Sequence, residues 1–174
     1  VMHLAVNQSR MGSAIKNHAP MFYENMQSFL NVIECSRKFD VERMLTTSSA
    51  CVYPRFCSIP TPESEGFLDE PEPTYSGYGW SKRMAEKLSF WFVEEYGMKI
   101  GIARPYNVYG PRETFDLEIA HVIPSLIKRV EGNEDPVAIW GSGKQSRSFL
   151  FVIDAVQGLL DVTEKYPVGD PVNI

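Results

Sequence analysis

Long helical patterns, each followed by a short apolar run, are the feature that most restricts how this chain can fold. Between Pro20 and Phe39, the residues Met21, Phe22, Met26, Phe29, Leu30, Ile33 and Cys35 recur at roughly helical spacing. The segment reads as a helix, with Cys35 on its apolar face. Val41 to Ser49 follows as a strand. The pattern then repeats: a helix from Tyr78 to Tyr96 ends at Gly97, where a left-handed cap fits, and Met98 to Arg104 is the next strand. Ile123 to Val130 reads as a helix, Val137 to Trp140 as a strand and Ala155 to Lys165 as a helix. Val1 to Val6 reads as a buried strand, and Pro171 to Ile174 reads in the same way. Ser58 to Ser76 places Pro60, Pro62, Pro71 and Pro73 among acidic residues and is expected to be an exposed loop. Alternation of this kind predicts an α/β fold, a parallel sheet covered by helices on both faces. Ligands of such sheets lie beyond the carboxyl ends of the strands. Ser49 and Cys51 leave one such end and Tyr106 and Asn107 another, so both segments are expected to border one crevice.

Composition excludes several partners. A net charge of -5 without a lysine or arginine cluster argues against a nucleic-acid surface. No apolar run approaches the roughly 20 residues of a membrane helix. The three cysteines are unevenly spaced and suggest neither a disulfide framework nor a zinc site, which favours a reducing, cytoplasmic setting. Both ends read as strands in progress, and no G-x-G-x-x-G loop occurs, so the chain reads as an internal piece of a longer one.

The chemistry is suggested by Tyr78-Gly79-Trp80-Ser81-Lys82. A tyrosine four residues before a lysine on one helix puts both side chains on one face. The ammonium is expected to stabilise the phenolate and to pull the tyrosine pKa from ~10 towards neutrality. Such a pair can exchange a proton with a sugar hydroxyl while a nicotinamide exchanges the hydride. Tyr75 has Gly79 at the partner position and lacks a lysine.

Read in order, His3-Leu4-Ala5, Ser48-Ser49-Ala50-Cys51-Val52-Tyr53-Pro54, Tyr78 to Lys82 and Arg104-Pro105-Tyr106-Asn107-Val108-Tyr109-Gly110-Pro111 resemble the extended short-chain dehydrogenases. These are the NAD(P)-dependent nucleotide-sugar epimerases, dehydratases and reductases; Trp140-Gly141-Ser142-Gly143 and Arg147-Ser148-Phe149 continue the match. The resemblance implies a Rossmann-type doubly wound parallel sheet with part of a smaller substrate-binding region. Residues 1–110 would be the later part of the dinucleotide-binding domain, without its Gly-rich front, and 111–174 mostly the substrate region before the chain returns to the sheet. It implies NAD or NADP as cofactor, a nucleotide-sugar substrate, no membrane, and a homodimer at full length.

Site residues follow from the same resemblance. Tyr78 and Lys82 match the acid/base pair, and Lys82 also the ligand of the nicotinamide ribose. Ser49 matches a hydroxyl that bonds the substrate beside the transferred hydride. Leu4, Ala5, Pro105 and Tyr106 match cofactor-lining positions, and Asn107, Arg129, Trp140 and Arg147 substrate-binding ones. Ala50-Cys51 stands where 4,6-dehydratases carry an Asp-Glu pair, which argues against a dehydratase. Ser-x-Cys before Val-Tyr-Pro resembles the GDP-L-fucose synthase and GDP-mannose 3,5-epimerase group, whose cysteine removes a proton from a sugar carbon. A ketone at C4 acidifies C3 and C5, and a thiolate with a nearby cation can take either proton. His121 resembles the acid of the fucose-synthase segment, returning a proton from the other face. Two alternatives stay open: a UDP- or dTDP-hexose 4-epimerase in which Cys51 only packs, and a non-catalytic dinucleotide-binding protein or inactive fragment.

Overall fold

A computed structural model describes residues 1–7, 16–117, 120–139 and 141–174. The elements run β1 (Met2–His3), α1 (His18–Lys38), β2 (Met44–Thr47), α2 (Ser76–Tyr96), β3 (Ile100–Arg104) and β4 (Asn107–Tyr109). They continue with α3 (Val122–Glu131), β5 (Phe149–Phe151), α4 (Val152–Lys165) and β6 (Val168–Asn173). Short 3-10 turns cover Ala50–Val52, Glu63–Phe67 and Pro73–Tyr75.

Strand alternation explains how the sheet is covered. Met44 and Ile100 point to one face, where Phe29 and Ile33 of α1 and Ala85 of α2 meet them. Leu45 and Ala103 point to the other, against Val162 of α4. Each fully buried aliphatic side chain contributes about 1.5–3 kcal/mol, and the two clusters together hold helices on both faces, as the alternation predicts. The sheet is ordered β1-β2-β3-β6 and is parallel throughout. A second, two-stranded parallel sheet joins β4 to β5, with the Tyr109 ring against Phe149 and Phe151. Gly97 ends α2 at φ +66°, the expected left-handed cap. No helix among the described residues is long and apolar enough to cross a membrane.

Four expectations need correction. The buried line of α1 is Met21, Asn25, Phe29, Ile33 and Ser36, so Cys35 is exposed, not on the apolar face. The polar Asn25 faces inward because its side chain both accepts from Asn7 N at 2.7 Å and donates to Asn7 O at 2.8 Å. Val137–Ile139 form no strand, and Trp140 lies outside the described residues. The run is flanked by Pro136 and by Gly141 and Gly143 at φ +78° and +74°, so turn geometry wins over a short apolar pattern. At the start, only His3 of Val1–Val6 is buried, because β1 pairs with β2 on one side alone among the described residues. Finally, the 58–76 loop is not simply exposed: it carries two of the 3-10 turns and buries Gly66 and Pro71.

The inner face of α2 is unusual for a sheet-packing helix. It buries Ser81, Lys82, Arg83, Glu86 and Ser89. Buried polar groups need partners, and most of these find them, Arg83 Nη2 being the exception. Ser81 Oγ donates to Tyr78 O at 2.7 Å, Arg83 Nε to Val52 O at 2.8 Å, and the Ser89 and Thr46 hydroxyls lie 2.8 Å apart.

Candidate active site

A parallel sheet brings the ends of β1, β2 and β3 to one edge. The exits of β2 and β3 are joined there by backbone bonds, Ser48 N to Ala103 O at 2.7 Å and Ala50 N to Pro105 O at 3.2 Å. Ser49 is extended and caps the next turn, its Oγ accepting from Cys51 N at 3.2 Å. That turn lies directly on the first turns of α2. A Cβ at Gly79 would stand 2.5 Å from the Cys51 carbonyl oxygen and 2.6 Å from Pro71 Cβ. Glycine beside Tyr78 is therefore what allows the Cys51 turn to approach the helix.

Tyr78 and Lys82 face this junction from α2 and are 5% and 7% exposed. Tyr78 packs with Met21, Cys51 and Tyr75, and the Ser49 hydroxyl acts on its phenol to lower the pKa. Lys82 Nζ donates to Thr47 O at 2.6 Å and stands 5.5 Å from the centre of the Tyr78 ring. Ser49, Cys51, Tyr78 and Lys82 thus form one compact group at the strand exits.

The electrostatics differ from the sequence expectation. Burial pushes the Tyr78 phenol above its ordinary range and the Cys51 charge adds to this, while the Ser49 hydrogen bond offsets only part. The helix spacing is as expected, but desolvation outweighs the lysine, whose ammonium is bonded to a carbonyl. Burial lowers Lys82 to about 8, opposed by Cys51 and Glu86. Burial likewise raises the Cys51 thiol; Ser49 and Lys82 pull it down and Glu72 pushes it up. His3, at the end of β1, is lowered by burial and then by Lys82. Near neutral pH the group holds a charged lysine, a protonated phenol and a thiol. A phenol in that state can give a proton but cannot take one.

The remaining expected residues lie at the borders of this group or away from it. Leu4 and Ala5 are exposed beyond β1, and Pro105 and Tyr106 are half-buried beyond β3, with Tyr106 N donating to Ile174 O at 3.2 Å. Asn107 is exposed, and its Nδ2 donates to Ser148 O at 2.8 Å. His121 precedes α3, exposed, with Nδ1 2.6 Å from Glu113 Oε1, and no hydrogen bond joins it to Cys51, Ser49 or Tyr78. Arg129 pairs with Glu134 through Nη1 at 2.8 and 2.9 Å. Arg147 is exposed and donates to Ser146 O at 2.8 Å. Glu86 and Arg104 were missed from sequence. The available signal was a glutamate one turn beyond Lys82 and an arginine closing a fully apolar strand, since a charge in such a place requires a partner.

Over residues 1–174 the chain matches the model of the NAD dependent epimerase/dehydratase family. The chain belongs to that family. Among its relatives, a GDP-L-fucose synthase of Sinorhizobium fredii is 34% identical, the match covering 95% of this chain and 55% of the relative. A GDP-mannose 3,5-epimerase 1 of Oryza sativa subsp. indica is 32% identical, covering 100% of this chain and 46% of the relative. Among solved structures, a GDP-L-fucose synthetase from Naegleria fowleri bound to NADP superposes with a TM-score of 0.85 at 25% identity, covering 100% of this chain and 58% of that one. This epimerase/dehydratase-family chain thus spans about half the length of the curated relatives it matches. Its parallel sheet with helices on both faces is of the Rossmann type found in the solved relatives.

Proposed function

We propose that the protein is an NAD(P)-dependent nucleotide-sugar epimerase, or epimerase/reductase, acting on a GDP-hexose or its 4-keto derivative. The observation that carries this reading is the convergence of Tyr78, Lys82, Ser49 and Cys51 at the strand exits. The residues fit a dinucleotide: backbone at Leu4 and Ala5 is open, Pro105 and Tyr106 border the edge, and Lys82 has three donors of which Thr47 takes one. Residues 1–110 form the part of the chain that would hold this cofactor, and 111–174 mostly the part that meets the sugar nucleotide.

When bound, the nicotinamide supplies hydride transfer to and from C4 of the sugar. The chain supplies the protons. Ser49 and Tyr78, which meet at the strand exits, both address the sugar O4, and Tyr78 gives O4 its proton as hydride returns. With C4 as a ketone, Cys51 as thiolate takes the C3 or C5 proton, leaving the electron pair as an enolate. Lys82 is the cation that favours that thiolate. His121, its ring oriented by Glu113, returns a proton to the same carbon from the opposite face. Asn107, Arg129, Trp140 and Arg147 hold the sugar nucleotide. The exposed Arg147 guanidinium suits a diphosphate.

Deuterium tests this directly. The natural full-length protein, incubated in D2O with GDP-mannose or GDP-4-keto-6-deoxymannose, is expected to place solvent deuterium at C3 and C5. In Cys51→Ser the NMR signal of that label should grow about 100-fold more slowly. Turnover without label in the wild type would replace this reading with hydride-only 4-epimerisation. The buried, raised Cys51 thiol is the observation that keeps that second reading in view.

A homodimer is part of the same proposal. Phe22, Tyr23 and Leu30 of α1 and Phe90 and Trp91 of α2 expose apolar surface on the two longest helices. A second copy would cover them across a two-fold axis. Light scattering is expected to give twice the chain mass for the wild type and a lower mass for Trp91→Glu; a monomeric wild type would end the idea.

A further inference from the structure

Arg104 closes β3 with only 1% of its surface exposed. It meets Glu86 through two parallel bonds, Nε to Oε1 at 2.8 Å and Nη2 to Oε2 at 2.7 Å. Its Nη1 donates to the Tyr53 hydroxyl at 2.9 Å and to the Glu63 carbonyl at 2.7 Å. Glu86 Oε1 also accepts from Ser48 Oγ. Tyr53 in turn donates to Asn173 Oδ1 at 2.6 Å, and Asn173 N donates to Glu63 Oε1 at 3.0 Å. One guanidinium therefore ties α2, the exits of β2 and β3, the loop after them and β6. Gly66 makes room for it, since a Cβ there would lie 2.5 Å from Arg104 Nη2.

The network grips both halves of the candidate site. Glu86 follows Lys82 by four residues and Tyr78 by eight, on the same face of α2. Ser48 is the residue before Ser49. A buried ion pair is a poor stabiliser compared with apolar residues of equal volume. What it adds is direction, because a fork-to-carboxylate pair fixes angle and register as packing alone does not.

We propose that Arg104 and Glu86 are positioning residues for the proton transfer at Tyr78: with Ser48, the pair sets the helix carrying Tyr78 and Lys82 against the Ser49–Cys51 turn. The proposal rests on the reading of Tyr78 as proton donor. Glu86 also acts on Lys82 through charge. The groups facing Lys82 are Cys51 from the turn, His3 from β1, and Glu86 and Tyr78 from its own helix. Of these, Cys51 and Glu86 favour its protonated form against burial. Neutralising Glu86 lets the ammonium lose its proton at lower pH, which displaces the alkaline limb of the rate.

The test compares wild type, Ser48→Ala, Glu86→Gln and Tyr78→Phe in the natural full-length protein. NADPH oxidation with GDP-4-keto-6-deoxymannose is followed against pH, with rates normalised to folded protein by circular dichroism. Glu86→Gln is expected to lower kcat about 30-fold with KM nearly unchanged. Its alkaline limb should move about one pH unit down. Ser48→Ala, which removes one small hydroxyl, should lower kcat about fivefold at constant KM. If Glu86→Gln does not fold, Ser48→Ala decides alone. Wild-type kcat and pH profile in the folded variants would overturn the positioning role, provided Tyr78→Phe is inactive. Activity in Tyr78→Phe would instead overturn the reading of the site itself, and the proposal with it.

Discussion

Tyr78→Phe is expected to lower kcat by about 1000-fold while leaving the melting temperature almost unchanged. The variant removes only the phenolic oxygen. The ring remains to pack with Met21, Cys51 and Tyr75, so the core around it keeps its volume. What is lost is the phenol that burial keeps protonated beside Ser49 at the strand exits. The check is steady-state NADPH oxidation with GDP-4-keto-6-deoxymannose in the natural full-length protein, beside a thermal melt. A loss below tenfold at full cofactor binding would move the proton donor elsewhere. A large loss with a collapsed melt would make Tyr78 structural.

The largest stability effect is expected at Arg104. Arg104→Ala strands the Glu86 carboxylate, 3% exposed, with Ser48 as its remaining neutral donor. Breaking a buried pair from one side costs about 3–5 kcal/mol, a large share of the roughly 5–15 kcal/mol that holds a domain folded. The Glu63 carbonyl loses a donor as well, and the loop that Gly66 lets close over the guanidinium loses its anchor. Urea unfolding is expected to show the loss as a lower midpoint. The double variant Arg104→Met with Glu86→Leu should regain most of the stability, since apolar residues of similar volume replace buried ion pairs well. It should not regain turnover. Recovery of both together would reduce the pair to packing.

The contrast between Tyr78 and Arg104 shows where sequence reasoning reaches. Tyr78 and Lys82 share a helix, so their spacing alone brings them to one face, and both are found together at the sheet edge. Arg104 and Glu86 sit on different elements, and nothing in either segment states that they meet. The same divide explains the errors. Cys35 fits a helical count, yet α1 buries the narrower stripe Met21, Asn25, Phe29, Ile33 and Ser36, and the inward Asn25 is held by its bonds to Asn7. Val137 to Ile139 is apolar enough for a strand, but no neighbouring backbone is placed to pair with it among the described residues.

Local periodicity, fixed by 3.6 residues per helical turn and two per strand, determined the alternating elements, the parallel sheet and the edge at which the candidate residues gather. Those quantities depend on neighbours along the chain, so one sequence suffices to read them. Tertiary structure alone decided the charge states and the partners. The direction of the Tyr78 shift depends on how much water the fold removes, and it ran against the lysine one turn away. The grip of Arg104 on Glu86, Tyr53 and Glu63 depends on segments far apart in sequence meeting at one guanidinium. Desolvation and long-range hydrogen bonding are properties of the packed molecule, and no spacing along the chain encodes them.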